Sequence, residues 1–284
     1  MTNPQAVSVD QGMYVGKKVP PDFFAAPTAR AMPAALVDAI PDLTVNRVGT
    51  TDTAYMRTEG FLGHCEPGET YRVTIDDGFT PAAGEPEPLS GPVVPPHLVL
   101  DGDWDENVDF VRDEVNILGG NGRYTLRDGA TSIVLPVAEP TPGHLAFYNS
   151  ALVKSGALVR FEATDILPVT VTSVGTDYPE NYLLREDFGG GAYLEIHDRP
   201  HFHMPMDRSC GGYMILGKQD ADGTRRVSAF RIPFGYGLHM GPWAIHNDAY
   251  ITGRHIVIYS KTTEFSSVIL RDENAALATI EFGA

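Results

Sequence analysis

Short runs of alternating apolar and polar residues recur along this chain, and they limit what it can fold into. Residues 71–75 (Tyr-Arg-Val-Thr-Ile) form one such run, and residues 132–136 and 157–161 are similar. Between the runs lie many of the 29 glycines and 22 prolines, the residues that most often form turns. A period of two is typical of β-strands with one buried face. The pattern therefore predicts an all-β fold class of short strands joined by turns.

The same strand-and-turn pattern appears twice, which predicts a duplicated β-barrel. Residues 1–50 instead mix proline, alanine and short apolar clusters, and we interpret them as an N-terminal arm that packs on the body or on a neighbouring subunit. Residues 51–168 would form the first barrel and residues 169–284 the second. The first barrel offers only distant histidines, such as His97 and His144, and is expected to lack metal.

The balance of charge excludes several classes of partner. With 21 Lys and Arg against 37 Asp and Glu, the net charge is −16, so neither nucleic acid nor an anionic membrane is an expected partner. Residues 1–10 lack the basic and apolar regions of a signal peptide, and no stretch of about 18 apolar residues occurs. Two cysteines are too few for a disulfide framework. We expect a soluble cytoplasmic protein.

Histidines concentrate in one part of the chain. Six of the nine lie within residues 197–255. His201 and His203 are separated by one residue on a predicted strand, so both imidazoles face the same side, with Cα atoms roughly 6–7 Å apart. His246 follows a glycine-rich turn, and a later strand could bring it opposite this pair. Three imidazoles with one acidic or thiolate ligand would bind a divalent transition metal such as Zn, Mn, Fe or Ni.

Two residues compete as the fourth ligand of this predicted metal site. Asp207 lies four residues after His203, and Cys210 begins the next predicted strand. Asp207 is the preferred ligand, since a lone cysteine is more often a small buried apolar residue than a ligand.

These residues together resemble the cupin superfamily. The resemblance is carried by the His201 and His203 pair, an acid four residues later, a strand that ends at Gly217, and the segments 233–237 and 242–247. It implies two cupin-like jelly-roll barrels, with metal ligands supplied by a first motif and by the histidine of a second motif. The superfamily also implies a homodimer.

Two kinds of cupin enzyme are especially similar. Residues 229–243, preceded by 194–197, resemble the ureidoglycolate lyase type, and residues 242–246 with the chain length resemble the 5-keto-4-deoxyuronate isomerase type. Both imply a metal-dependent lyase or isomerase that acts on a small hydroxy- or keto-acid, related to a sugar acid, by metal chelation and proton transfer. An Fe(II)-dependent dioxygenase and a non-catalytic small-molecule-binding cupin are the alternatives.

Further residues near the predicted ligands are candidates for catalysis and substrate binding. Glu195 and His197 share the period-two parity of the histidine pair, so either is a candidate base. Tyr236 and His239 border the turn before His246 and are expected near the substrate. Arg199 is a candidate partner for a substrate carboxylate, and Trp243 is a candidate wall of the substrate site.

Overall fold

The computed structural model describes residues 45–106, 122–259, 262 and 264–283. Strands dominate these residues and form a nearly closed, barrel-like sheet, so the predicted all-β fold class is confirmed. The predicted arm of residues 1–50 lies outside the described residues except for its last six positions, which contain a strand. No helix in the described part of the chain is long and apolar enough to cross a membrane.

The described part of the chain contains 21 strands. They are β1 (Asn46–Val48), β2 (Tyr55–Cys65), β3 (Thr70–Thr74), β4 (Gly78–Pro81), β5 (Leu98–Leu100), β6 (Gly102–Asp105), β7 (Gly122–Leu126), β8 (Ser132–Pro136), β9 (Ser150–Lys154), β10 (Leu158–Arg160), β11 (Leu167–Val174), β12 (Tyr193–His197), β13 (His201–Pro205), β14 (Gly211–Gly212), β15 (Met214–Gln219), β16 (Arg225–Phe230), β17 (Tyr236–Met240), β18 (Ile245–Asn247), β19 (Ile251–Ile258), β20 (Phe265–Arg271) and β21 (Thr279–Gly283). A short helix, α1 (Pro142–Ala146), and one π-helical turn (Pro179–Leu183) interrupt them.

Two large sheets organise these strands. Sheet I has the order β1-β2-β11-β19-β13-β17-β9, with β14 paired to β19, and sheet II has the order β5-β16-β15-β18-β12-β20-β7-β6. The strands β10, β3 and β4 form a small antiparallel sheet, and β8 pairs with β21 in parallel. Both large sheets combine strands from either side of the predicted boundary between residues 168 and 169, and that boundary falls inside β11. The described sheets therefore do not divide at this position.

Strand β13 shows how the alternation of side chains separates chemistry from packing. His201 and His203 lie on one face of the strand, with ring centroids 5.9 Å apart. Phe202 and Met204 lie on the other face, in a buried apolar cluster that includes Tyr71 of β3. Because the side chains of a strand alternate between its two faces, this packing orients both histidines toward the opposite side. The predicted shared face of the histidine pair is confirmed.

The link between β12 and β13 carries the chain from sheet II to sheet I. Only residues 198–200 separate the two strands. The backbone N–H of Asp198 donates to the carbonyl of Glu264, and the N–H of Trp243 donates to the carbonyl of His197 over 2.8 Å, which holds the end of β12 in place. This short crossing brings the end of β12 close to the start of β13.

Candidate metal centre

Four side chains converge where the two large sheets meet. Glu195, His197 and His246 come from sheet II, and His201 comes from sheet I. Their candidate donor atoms all lie within 4.8 Å of one another. The ring centroids of the three imidazoles are 4.3 to 4.9 Å apart. We call these four residues the donor cluster.

Strand pairing explains why these residues meet. Strands β12 and β18 are neighbours in sheet II, with Glu195 directly opposite His246. Directly paired residues of antiparallel strands point to the same face of the sheet. His197 lies two residues after Glu195 and therefore shares that face. The crossing at residues 198–200 then places His201 of sheet I beside His197, with ring centroids 4.7 Å apart.

The contact between His246 and Glu195 requires a proton or a cation between its two atoms. His246 Nδ1 lies 2.9 Å from the carbonyl oxygen of Ala244, which can only accept a hydrogen bond, so the neutral ring carries its proton on Nδ1. Nε2 then presents a lone pair to Glu195 Oε1 at 2.9 Å. Two lone pairs at this distance repel one another unless a proton or a cation lies between them.

The pKa values of the cluster follow from burial and from that contact. Burial alone lowers the pKa of His246, but the Glu195 carboxylate outweighs burial, so the net shift is upward. Burial, followed by repulsion from His246, lowers the pKa of His197 to about 4 and that of His201 well below its ordinary value. His197 and His201 are therefore neutral at neutral pH, the form in which an imidazole binds a metal.

The residues present fit a divalent metal ion. His201 Nδ1 is buried without a hydrogen-bond partner among the described residues. The carbonyl of Ala244 binds His246 Nδ1 and orients the His246 ring, as backbone carbonyls do for many metal-binding histidines. Three imidazoles and one carboxylate are donors that Zn, Mn, Fe and Ni all accept. The donor cluster could thus hold the divalent transition metal expected from the sequence, which leaves the identity of the metal open.

The structure places His203 outside the donor cluster, although the sequence predicts it as a ligand. Its Nε2 lies 3.8 Å from Asp248 Oδ2, and its ring packs against His255 with centroids 6.5 Å apart. The reason is the position of the sheet crossing: His197 meets the start of β13, where His201 lies. His203 is one full strand repeat further along.

Neither candidate fourth ligand reaches the cluster. Asp207 follows the end of β13 in a turn, where its carboxylate accepts hydrogen bonds from the backbone N–H of Ser209 at 2.8 Å and from the Ser209 hydroxyl. Cys210 Sγ donates to the carbonyl of Arg254 at 3.1 Å. The carboxylate in the cluster is Glu195 instead, which the sequence analysis treats as a base.

Arg199 and Trp243, the predicted substrate-binding residues, lie outside the donor cluster. The Arg199 guanidinium donates to Asp198 at 2.5 Å and to Asp165 at 2.6 Å, so two carboxylates hold it. Trp243 has a φ of 64° and a side chain that is 54% exposed. Its backbone N–H donates to the carbonyl of His197.

Tyr236 and His239 also lie away from the cluster. Tyr236 begins β17 and pairs with Lys154 of β9. His239 pairs directly with Phe202 of β13, which puts it on the apolar face of sheet I, opposite to the face of His201. Its ring packs against Phe161, with centroids 5.4 Å apart. These two residues therefore do not join the donor cluster.

We expect His239 to make the protein sensitive to acid. Burial lowers the pKa of His239 to about 4 from the ordinary 6.5, so the unfolded chain takes up this proton first as the pH falls. Stability should therefore fall between pH 6.5 and pH 4, by up to about 3 kcal/mol from this residue. In His239→Gln, urea unfolding at pH 7 and pH 4.5 should show a smaller loss than in wild type. His144→Gln is the control, and an equal effect of both substitutions would contradict the assignment.

A small cavity of about 20 Å³ adjoins the donor cluster and contains two residues that sequence analysis missed. Glu195 and His201 line it together with Arg47 and Asp248. Asp248 shares the parity of His246, two residues earlier, and this spacing could have identified it. No pattern in the sequence identifies Arg47 in this way. Its strand, β1, lies near the site only because of its place in the strand order of sheet I.

Comparison with known proteins gives no family for the chain. No protein-family model matches it, and no curated protein matches it. The resemblance to cupins therefore still depends on the residues quoted for it.

Proposed function

We propose that this protein is a metal-dependent enzyme of cupin type, a lyase or isomerase that acts on a small hydroxy- or keto-acid. The donor cluster of Glu195, His197, His201 and His246 is the observation that carries the proposal. Its carboxylate favours a metal-dependent lyase or isomerase over the iron dioxygenase, for which a three-histidine site was the expectation. When bound, a divalent ion supplies Lewis acidity toward a carbonyl or hydroxyl oxygen.

The proton acceptor in this proposal is Asp248. Glu195 and His197, the bases expected from the sequence, belong to the donor cluster and are occupied when it holds a cation. Asp248 lines the same cavity and accepts a hydrogen bond from the Tyr193 hydroxyl at 2.5 Å. Although burial raises its pKa, attraction to His203 and the bond from Tyr193 outweigh it, so the pKa is lowered and the carboxylate is ionised at neutral pH.

Metal analysis together with turnover tests this proposal. Protein purified without a histidine tag or chelator should contain about one divalent transition metal ion per chain by elemental analysis. The loaded protein is then screened against small hydroxy- and keto-acids, with product formation followed by NMR. Asp248→Asn should keep the metal and lose at least about 100-fold in turnover, since general-base catalysis typically contributes 10²–10⁴-fold.

Asp207→Asn is the matched control, because the same chemical change is made in a turn outside the cluster. It should leave both metal content and turnover unchanged. Wild-type protein without metal would refute the proposal. Metal without turnover would favour a binding protein, and iron with oxygen consumption would favour a dioxygenase.

A further inference from the structure

We infer that Trp243 is a positioning residue, and that its left-handed backbone holds two members of the donor cluster in place before a metal binds. The inference rests on the proposed function for its metal site and deepens it, because it identifies what sets the geometry of that site. The backbone of Trp243 has this role, and its indole does not.

Trp243 lies in a second crossing between the two large sheets. Residues 241–244 carry the chain from β17 of sheet I to β18 of sheet II. The last residue of β17 pairs with His201, and Glu195 pairs with His246 of β18. This link therefore runs beside the crossing from β12 to β13, and members of the donor cluster adjoin both crossings.

Hydrogen bonds from this link reach two members of the donor cluster. The Trp243 N–H donates to the carbonyl of His197 at 2.8 Å, which joins the two crossings. The carbonyl of the next residue, Ala244, accepts from His246 Nδ1 at 2.9 Å. That contact orients the ring so that its Nε2 faces Glu195. Consecutive residues of one short link thus hold one ligand strand and one ligand ring.

The conformation of Trp243 is unusual for its residue type. The Ala244 N–H donates to the carbonyl of Gly241 at 3.3 Å, which closes a four-residue turn. Pro242 is the second residue of this turn, and Trp243, with a φ of 64°, is the third. A proline followed by a positive φ is the pattern of a type II turn, whose third position normally takes glycine or asparagine. A bulky residue in this conformation is strained, and such strain persists only where the surrounding structure holds it.

Backbone contacts hold the turn in this strained conformation. The indole of Trp243 is 54% exposed, so its burial does not account for the positive φ. Asn149 supports the turn from the neighbouring loop. Its side-chain amide donates to the carbonyl of Pro242 at 3.1 Å, and its own carbonyl accepts from the N–H of Gly241 at 2.8 Å.

A change of φ at Trp243 would disturb the donor cluster. The φ of a residue sets the direction of the chain after it relative to the chain before it, so a negative φ would pull the two contacts apart. His246 would lose the acceptor that orients its ring, and His197 would lose its link to the second crossing. The four donor atoms, which lie within 4.8 Å of one another, would then no longer converge.

Substitution by valine and by glycine separates the role of the backbone from that of the indole. Trp243→Val should weaken zinc affinity at least about tenfold, because β-branched residues do not tolerate a positive φ and residues that orient ligands contribute about 10–100-fold. Trp243→Gly also lacks the indole but adopts this φ freely, so it should bind zinc within about threefold of wild type. Competition with a chromophoric chelator measures both affinities. The absorption spectrum of the cobalt-loaded protein should change in Trp243→Val only.

Ala275→Val is the matched control, because Ala275 also has a positive φ, of 63°, at an exposed position outside the donor cluster. It should lower the thermal unfolding midpoint of the metal-free protein about as much as Trp243→Val does, while zinc affinity stays at the wild-type value. If Trp243→Val does not fold, Asn149→Gly provides a milder change. It removes only the hydrogen bond to Pro242 and should weaken zinc affinity about threefold.

The outcomes separate this inference from the proposed function. Unchanged zinc affinity in folded Trp243→Val, or in Asn149→Gly where it replaces that variant, would overturn the role of the Trp243 backbone. Loss of zinc affinity in Trp243→Gly would overturn it too, since the indole would then be the part that matters. Wild-type protein that binds no zinc or other divalent transition metal would overturn the proposed function as well.

Discussion

Replacing His201 by alanine is expected to abolish metal binding, whereas replacing His203 should preserve it. His201 belongs to the donor cluster, and His203 instead faces Asp248 at 3.8 Å. Loss of a direct ligand should weaken affinity by roughly 100-fold or more, because changing even a residue that only hydrogen-bonds to a ligand typically costs 10–100-fold. Elemental analysis and competition with a chromophoric chelator measure both variants against wild type.

The His201 and His203 variants form a matched pair. They remove the same side chain from the same face of β13, two residues apart, and both residues are buried. Circular dichroism and thermal unfolding should show that both variants remain folded. If His203→Ala lost metal as completely as His201→Ala, the ligand pair predicted from sequence would be correct and the donor cluster would be misassigned.

Replacing Phe202 by alanine is expected to cost about 3–5 kcal/mol in the free energy of unfolding. Phe202 is fully buried and packs edge-on against Phe79 at 5.1 Å and Phe161 at 6.0 Å between ring centroids. A Cβ at Gly237 would lie 2.0 Å from Phe202 Cζ, so the ring packs directly against the Gly237 backbone. Truncation would leave a cavity that these rigid neighbours cannot close. Urea unfolding measures the loss.

Phe265→Ala is the control for this effect. That side chain is 38% exposed at the start of β20, and its removal should cost less than about 1 kcal/mol. Equal losses in the two variants would show that Phe202 does not anchor β13. In that case the packing that orients His201 and His203 would need another source.

The alternation of side chains accounts for what sequence could predict about the site. Period two correctly places His201 and His203 on one face of β13, and it places Glu195 and His197 on one face of β12, where both join the donor cluster. Within a strand this is a local property, since each residue points opposite to its neighbours. The same rule applied to His246 would also have pointed to Asp248.

The alternation of side chains within a strand does not predict which distant strands and residues come together. Whether His201 or His203 meets the other ligands depends on where the chain crosses between sheets, at residues 198–200. Asp207 has the right spacing for a ligand, but the chain turns at the end of β13 and Ser209 binds its carboxylate. Spacing along a strand does not reveal which end of it faces another sheet.

The amino-acid sequence by itself determined the all-β class, the region that carries the histidines and the faces on which they lie, because these depend on local alternation and turn residues. Only the tertiary structure decided which donors converge and that Arg47 lines the cavity beside them. Arg47 is separated from His201 by more than 150 residues, yet both line one cavity, although β2, β11 and β19 lie between β1 and β13 in sheet I. Hydrogen bonding between distant strands sets that arrangement, and no pattern within a single strand contains it.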